Sequence, residues 1–144
     1  MKLTSRTRYG MRAMLELGLN YDKSPLQTKI IAQRQDISVK YLEQLMASLQ
    51  TSGLIRGKRG TKGGYSLVKP PNMITLNEIF TCLEGPILMA ECIDEKDYCD
   101  KSPDCVTRQL WAQIQGELVK MLKSITLQDL VEKAKKNKLS NYQI

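Results

Sequence analysis

The segment ISVKYLEQLMASLQTSGLIRGKRGTKGGYSL, residues 37–67, decides the fold of this chain. In its first half, apolar side chains recur at the helical spacing i, i+3, i+4, i+7: Leu42, Leu45, Met46 and Leu49. Ser38 can cap the start of this helix, which we predict over residues 39–51. The second half has two strand-like runs, Leu54–Arg56 and Tyr65–Val68, joined by glycines and basic residues that suit a hairpin tip. A helix followed at once by a β-hairpin is therefore predicted.

Two further helices are predicted upstream of this segment. Residues 4–19 carry an apolar helical pattern, with Thr4 or Ser5 as its possible cap, and a turn over residues 20–25 separates them from a short helix over residues 26–35. The link Asp36-Ile37-Ser38 joins that helix to the next one as a helix-turn-helix. With the hairpin and a fourth helix at residues 76–83, the chain reads as a winged helix-turn-helix domain over residues 1–84.

Burial of the apolar stripe turns a polar face of the third helix outward: Ser38, Lys40, Glu43 and Gln44. In this motif the outward residues at the start of the second helix enter the DNA major groove. Glutamine can pair with adenine, glutamate can accept from cytosine N4, and lysine can donate to guanine or phosphate. A helix pair in a bundle with a solvated face would show the same pattern, so the hairpin must distinguish the two.

The hairpin favours DNA because its basic residues cluster at a tip without apolar bulk: Arg56, Lys58, Arg59 and Lys62. Such a tip can lie along phosphates or place an arginine in a minor groove. Residues 1–80 hold 13 basic and 5 acidic side chains, whereas residues 81–106 hold 2 and 7. We predict double-stranded DNA as the partner of the basic half, with the acidic middle repelled from phosphate.

Three of the four cysteines lie in one acidic stretch, ECIDEKDYCDKSPDC, at Cys92, Cys99 and Cys105. No helical or strand period runs through it, so we predict a functional loop over residues 85–106. Thiolates are soft ligands for iron–sulfur clusters, zinc or copper(I). The spacing is wider than that of a zinc knuckle, and the chain has no histidine. Three unrelated surface thiols are the alternative.

After the loop, an apolar stripe at helical spacing runs for about four turns: Leu110, Trp111, Ile114, Leu118, Met121, Leu122 and Ile125. This stripe could fold back on the domain. We predict instead that two copies pack across a two-fold axis as a homodimer, because operators read by such motifs are usually palindromic. A dimerisation helix and a short terminal helix are predicted over residues 107–136, with a flexible tail at 137–144. The predicted fold class is mainly α with a small β-wing.

Composition narrows the functional class further. The chain of 144 residues has no apolar run of the ~20 residues that cross a membrane and no signal peptide at its start. We therefore predict a cytoplasmic protein without membrane contact, whose clustered cysteines form no disulfides and are metal-binding or redox-active. Because histidine and a credible pair of carboxylates are missing, general acid–base catalysis has few candidates, and no enzyme is predicted.

Three stretches together resemble the Rrf-type winged-helix transcriptional regulators, the family that includes IscR, NsrR, RirA and CymR. They are MKLTSRTRYGMRAML at residues 1–15, the segment 37–67, and the spaced cysteines followed by residues 106–111. The resemblance implies a repressor whose loop binds an iron–sulfur cluster and whose long helix forms the dimer. It implies cluster ligation by Cys92, Cys99 and Cys105. It also implies DNA contacts by Ser38, Lys40, Tyr41, Glu43, Gln44 and Arg59.

The fourth cluster ligand stays open on this resemblance. Arg108 stands where some members have a histidine three residues after the third cysteine, and Arg8 stands where others supply an aspartate from the partner. Cys82, Asp104, a residue of the partner subunit, a small thiol or water are the candidates. The cluster could therefore be [2Fe–2S] or [4Fe–4S]. The alternative function is a cluster-free, CymR-like repressor whose loop docks a protein partner or whose cysteines sense thiol oxidation.

Overall fold

The computed structural model of the protein describes residues 3–142, which form a mainly helical fold with one small antiparallel sheet. The helices are α1 (Ser5–Leu19), α2 (Thr28–Gln35), α3 (Val39–Thr51), α4 (Leu76–Glu84), α5 (Glu91–Asp94), α6 (Val106–Ser124) and α7 (Leu127–Tyr142). The strands are β1 (Ile55–Lys58) and β2 (Gly64–Leu67), and short 3-10 turns lie at Pro71–Met73 and Ser102–Asp104. The predicted fold class is confirmed. No helix among the described residues combines the length and apolar character that a membrane crossing requires.

One apolar core is formed by the helices α1, α2, α3 and α4 together with the two-stranded sheet. The predicted stripe of α3 is its centre, and all four side chains are fully buried: Leu42, Leu45, Met46 and Leu49. Burying a side chain of this size stabilises the fold by roughly 1.5–3 kcal/mol. This burial determines which face of α3 stays in contact with solvent, and the predicted bounds of α3 are confirmed.

The first helix packs closely on α4. Its start is capped by the Thr4 hydroxyl, which accepts a hydrogen bond from the Thr7 N–H at 3.2 Å. A Cβ atom at Gly10 would lie 2.5 Å from Leu83 Cδ1, so an alanine there would force the Leu83 side chain to move. The end of α4 is therefore held directly against α1.

The wing pairs Ile55 with Leu67 at one end and Lys58 with Gly64 at the other. Leu26 extends this sheet, because its N–H donates to the Tyr65 carbonyl at 2.9 Å and its carbonyl accepts from the Tyr65 N–H at 2.8 Å. The prediction that the second helix starts at Leu26 is therefore wrong, and α2 begins at Thr28. Gly64 has φ +140°, and a Cβ there would lie 2.5 Å from the Leu26 carbonyl oxygen.

The last two helices return to the domain beside α4. The Leu76 N–H donates to the Ile125 carbonyl at 2.9 Å, and the Leu127 N–H donates to the Ile74 carbonyl at 2.8 Å. The prediction of a short terminal helix ending near residue 136 is wrong, because α7 continues to Tyr142. Its sequence offers good helix formers and no glycine or proline to stop it. The last two residues of the predicted tail, 143 and 144, lie outside the described part of the chain.

The stripe on α6 divides into two faces. Leu122 is 6% exposed in the core of its own chain, and Leu118 and Ile125 pack against the same core. The prediction of one dimerisation stripe that includes these residues is therefore corrected, since α6 also has to cover α4. The other four side chains are exposed, and we call them the outer face of α6: Leu110, Trp111, Ile114 and Met121.

Candidate nucleic-acid interface and cysteine loop

The first turns of α3 carry the residues predicted to read bases. Ser38 caps the helix, and its hydroxyl accepts from the Tyr41 N–H at 3.2 Å. Lys40, Glu43 and Gln44 are all exposed beside it. No acidic residue lies in the first turn, so the partial positive charge of the helix N-terminus is not offset there. The structure thus brings the predicted base-reading residues onto one solvent-facing surface.

Helix α1 supports this surface through Tyr9. The ring of Tyr41 meets the ring of Tyr9 edge to face, with centroids 6.0 Å apart, and Tyr41 is half-buried. The guanidinium groups of Arg8 and Arg12 each lie 5.6 Å from the Tyr9 ring centroid. Cation–π contacts of this kind hold aromatic rings in place. The orientation of Tyr41 is therefore set from outside α3.

The turn of the helix-turn-helix is held by a network of polar side chains. Asp36 ends α2 in the left-handed conformation at φ +53°, and Arg12 Nε donates to Gln35 Oε1 at 2.8 Å. Gln35 in turn donates to Glu16 at 2.7 Å, and Glu16 pairs with Arg34 at 3.2 Å although it is only 8% exposed. These contacts tie the end of α2 to α1.

The wing presents its basic residues as predicted. Arg56 and Lys58 lie on β1, and Arg59 and Lys62 lie in the tip that follows. All four are exposed. Gln27 Nε2 donates to the Thr61 carbonyl at 3.4 Å, which ties the tip to the start of α2. The exposed basic residues of the wing and the exposed polar residues at the start of α3 thus belong to the same winged domain.

The cysteine loop runs from the end of α4 to the start of α6. It contains α5 and one 3-10 turn, and α5 buries no residue, as expected for a segment without an apolar period. Cys92 lies on α5 and is half-buried, whereas Cys99 is exposed between α5 and the 3-10 turn. The 3-10 turn carries Ser102, whose hydroxyl is buried without a hydrogen-bond partner within the described chain. A buried, unpartnered hydroxyl leaves a polar atom for another group to satisfy.

The third cysteine caps α6. The Cys105 sulfur accepts from the Arg108 N–H at 3.4 Å and lies 3.1 Å from the Thr107 hydroxyl oxygen. The hydrogen bond with Thr107 and then the one from the Arg108 backbone lower the pKa of the Cys105 thiol, although desolvation opposes them. Such surroundings favour the thiolate, the form that binds metal.

Arg108 closes the two ends of the loop on each other. Its Nε donates to the Cys92 carbonyl at 2.6 Å, and its Nη2 donates to the Ile93 carbonyl at 3.3 Å. Helix α5 is thereby attached to the first turn of α6, so a side chain that cannot ligate a metal holds two cysteine-bearing elements together. The sequence marked Arg108 only as the residue in place of a histidine, because its acceptors lie 15 and 16 residues away.

The loop suits an iron–sulfur cluster in its donor chemistry but not in the positions of its donors. Three thiols, one of them with a lowered pKa, are the soft ligands that such a cluster takes. However, no three cysteine or carboxylate side chains come together as a metal site within the described residues. Cys82 lies apart on α4, and its sulfur is 3.5 Å from the Ser48 carbonyl oxygen. Binding would therefore need the three cysteines to come closer together than they lie here.

A helix-turn-helix with an exposed second helix and a basic hairpin defines a winged helix-turn-helix protein of the DNA-binding class. The chain belongs to the Rrf2 family, because the family model described as an iron-dependent transcriptional regulator matches residues 3–133. The predicted family is confirmed. The relatives are transcriptional regulators, so the protein is a DNA-binding transcriptional regulator and not an enzyme.

Similarity extends over nearly the whole chain. The protein Rrf2 of Nitratidesulfovibrio vulgaris is 37% identical over 134 residues, which are 93% of this chain and 89% of that protein. The structure of CymR, the global cysteine regulator of Bacillus subtilis, matches with a TM-score of 0.79 and 36% identity, covering 92% of this chain and 97% of CymR. The structure of IscR from T. potens matches with a TM-score of 0.76 and 33% identity, covering 93% and 88%.

Proposed function

We propose that this regulator is a homodimer whose operator binding is controlled by an iron–sulfur cluster on Cys92, Cys99 and Cys105. The observation that carries the proposal is the placement of three thiols on one segment between the winged domain and α6. When bound, the cluster would supply a redox-sensitive and iron-sensitive linkage between the three thiolates. The similarity to IscR supports this role.

The proposed DNA contacts divide between bases and backbone. Gln44 and Glu43 read base edges in the major groove, with Ser38, Lys40 and Tyr41 at the entrance of α3. Arg59 enters a minor groove or contacts phosphate, and Arg56 and Lys58 neutralise phosphates along the wing. Exposure of these polar and basic side chains supports the assignment.

The proposed dimer forms through the outer face of α6. Four large apolar side chains are exposed on one helix there, with Ile114 at 41% and Met121 at 57%. Exposed apolar patches of this kind mark protein interfaces in soluble proteins. A second copy is the proposed occupant because a two-fold operator needs two recognition helices.

Anaerobic purification tests the cluster directly. We expect a coloured protein with bound iron and sulfide, and loss of the visible absorbance in Cys92→Ala, Cys99→Ala and Cys105→Ala. Cys82→Ala is the matched control, and it should keep the spectrum because Cys82 lies on α4 beside Ser48. A colourless wild-type protein would end the cluster proposal.

Control of DNA binding needs a second measurement. Holo protein, apo protein and Cys99→Ala should be titrated against the same operators, selected from random DNA by the holo protein. We expect the cluster to change affinity for at least one operator by about 5- to 150-fold, the usual size of coupling between two sites. Equal affinities on every operator would leave a regulator whose loop does not sense a cluster.

The second candidate function is a cluster-free repressor similar to CymR. Arg108 favours it, because its own hydrogen bond to the Cys92 carbonyl joins the two ends of the loop. In that case the loop docks a protein partner, or its thiols respond to oxidation. A protein without iron or sulfide that binds its operator at full affinity would support this candidate.

A further inference from the structure

The last turn of α4, where the cysteine loop begins, is tied to α1 by side-chain hydrogen bonds. Arg6 Nε donates to the Leu83 carbonyl at 2.8 Å. Carbonyls in the last turn of a helix lack an intrahelical partner, and a cation is favourable at this end of the helix dipole. The Glu84 carboxylate accepts from the hydroxyls of Thr4 and Thr7. The root of the loop is therefore anchored to α1 and cannot move alone.

The same guanidinium also reaches the recognition helix. Arg6 Nη2 donates to the Ser48 hydroxyl at 2.5 Å, and that hydroxyl lies 3.4 Å from the Gln44 carbonyl oxygen, to which it donates. Gln44 is the proposed base reader one turn earlier on α3. A continuous chain of hydrogen bonds thus leads from the Leu83 carbonyl through Arg6 and Ser48 to the main-chain carbonyl of Gln44.

Arginine is suited to this bridge because its planar fork offers several donors in fixed directions. Lysine could satisfy one acceptor but not hold both in the same geometry. The neighbouring basic residues of α1 make different contacts. Arg8 Nη2 donates to Ser5 on its own helix at 3.3 Å, and Arg12 bonds to Gln35 on α2. Arg6 thus bridges α4 and α3, whereas the hydrogen bonds of Arg8 and Arg12 reach neither helix.

We propose that Arg6 is a positioning residue that couples the recognition helix α3 to the root of the cysteine loop. A change in the setting of the last turn of α4 alters the Arg6 bond to Ser48 and so the seating of Gln44. By linkage, the factor by which the state of the loop changes DNA affinity is also the factor by which bound DNA changes the equilibrium of the loop. The inference relies on the proposed function for what the loop senses, but the coupling itself needs no cluster.

Hydrogen exchange on metal-free protein tests the coupling. The probe is a duplex selected from random DNA by the wild-type protein, and the readout is amide exchange of residues 85–104 with and without that duplex. In the wild type we expect DNA to slow exchange by about 5- to 150-fold. In Arg6→Gln and in Ser48→Ala, bound DNA should leave exchange in the loop unchanged.

Two further variants separate coupling from stability and charge. Lys133→Gln removes the same charge at an exposed position of α7, and it should keep the DNA-dependent protection of the loop. Arg6→Lys keeps the charge without the fork, and it should lose most of that protection. If Arg6→Gln fails to fold in thermal melts, Arg6→Lys and Ser48→Ala decide the question.

The inference is overturned if the loop of Arg6→Lys or Ser48→Ala is protected by DNA as strongly as that of the wild type. It is also overturned if DNA leaves the wild-type loop unprotected. Failure of the proposed function has a different signature, namely purified protein without iron or sulfide, and that result leaves this test in force.

Discussion

The winged domain and the segment from the cysteine loop through α6 use apolar residues in opposite ways. In the winged domain the apolar stripe of α3 is fully buried within one chain. On α6 a stripe of similar spacing leaves Leu110 46% exposed and Trp111 39% exposed, and Val106 at its start is 75% exposed. The stripe of α3 is thus satisfied within one chain, whereas the outer face of α6 is the surface that the proposed dimer would bury.

Charge separates the same two regions. The winged domain is basic, and the loop is acidic with seven acidic and two basic residues between positions 81 and 106. A basic surface attracts phosphate and an acidic one repels it, so we expect DNA to bind the winged domain and not the loop. In the proposed function, the loop and the recognition helix would be linked through the packed helices between them, and the half-buried Arg6 lies there.

The largest predicted effect is the salt dependence of DNA binding. It tests the charge contrast between the basic winged domain, which should contact phosphates, and the acidic loop, which should not. If the winged domains of a dimer neutralise about six to ten phosphates, affinity should fall by roughly 10³ to 10⁵ between about 50 and 200 mM salt. Arg59→Ala should reduce the slope by about one for each lost contact, while Asp100→Asn in the loop should leave it unchanged. Fluorescence anisotropy titrations measure the affinity and the slope. An affinity that does not change with salt would mean that the winged domain does not neutralise DNA phosphates.

The next effect concerns the dimer. Ile114→Glu should place a carboxylate in an apolar interface, at a cost of several kcal/mol that a helix-mediated dimer does not survive. Gln113→Glu, at the exposed neighbouring position, is the control with the same new charge. Sedimentation equilibrium should find a folded monomer for the first variant and a dimer for the second. A stable dimer of Ile114→Glu would refute the proposed interface.

The third prediction tests burial within one chain, with Ile114→Glu as a monomeric background. Leu45→Ala should lower the free energy of unfolding by about 2–5 kcal/mol because Leu45 is fully buried. Leu110→Ala in the same background should change it by less than about 0.5 kcal/mol, since Leu110 is exposed there. Urea denaturation measures both values. Equal losses would mean that Leu110, like Leu45, is buried within its own chain.

The smallest effect lies at the junction of the two regions, at Glu84. Hydrogen bonds from Thr4 and then Thr7 lower the pKa of Glu84, against a smaller opposing effect of desolvation. A carboxyl whose pKa is lowered by folding stabilises the fold above its unfolded pKa, and this contribution is lost as the pH falls through the folded value. Glu84→Gln should therefore be less stable than the wild type near pH 6, by about 1 kcal/mol or less at this exposed site.

The pH profile of that difference is the measurement. Urea denaturation of the wild type and Glu84→Gln should show the difference shrinking as the pH falls below about 4, where free glutamate becomes protonated. A difference that stays constant with pH would mean that the Glu84 charge plays no part in holding the loop root.

Local patterns in the sequence predicted most of the winged domain. The period of Leu42, Leu45 and Leu49 was sufficient to place α3 and its outward face, because a stripe of this kind has one way to be buried. The start of α2 was missed, since Leu26 pairs with Tyr65 across 39 residues of chain and no local signal reports such a bridge. Asp36 was missed as a left-handed residue because glycine is the usual marker of that conformation.

By itself, the sequence determined the fold class, the family and the grouping of three thiols on one acidic segment, because each depends on spacing along the chain. Only the tertiary structure decided which residues of the α6 stripe are buried within their own chain, as Leu122 is, and which stay exposed, as Ile114 does. It also decided that Arg108 closes the loop and that Arg6 joins α4 to α3. Such roles depend on which acceptors lie within hydrogen-bond reach of a long side chain, and packing brings those acceptors together from distant parts of the chain.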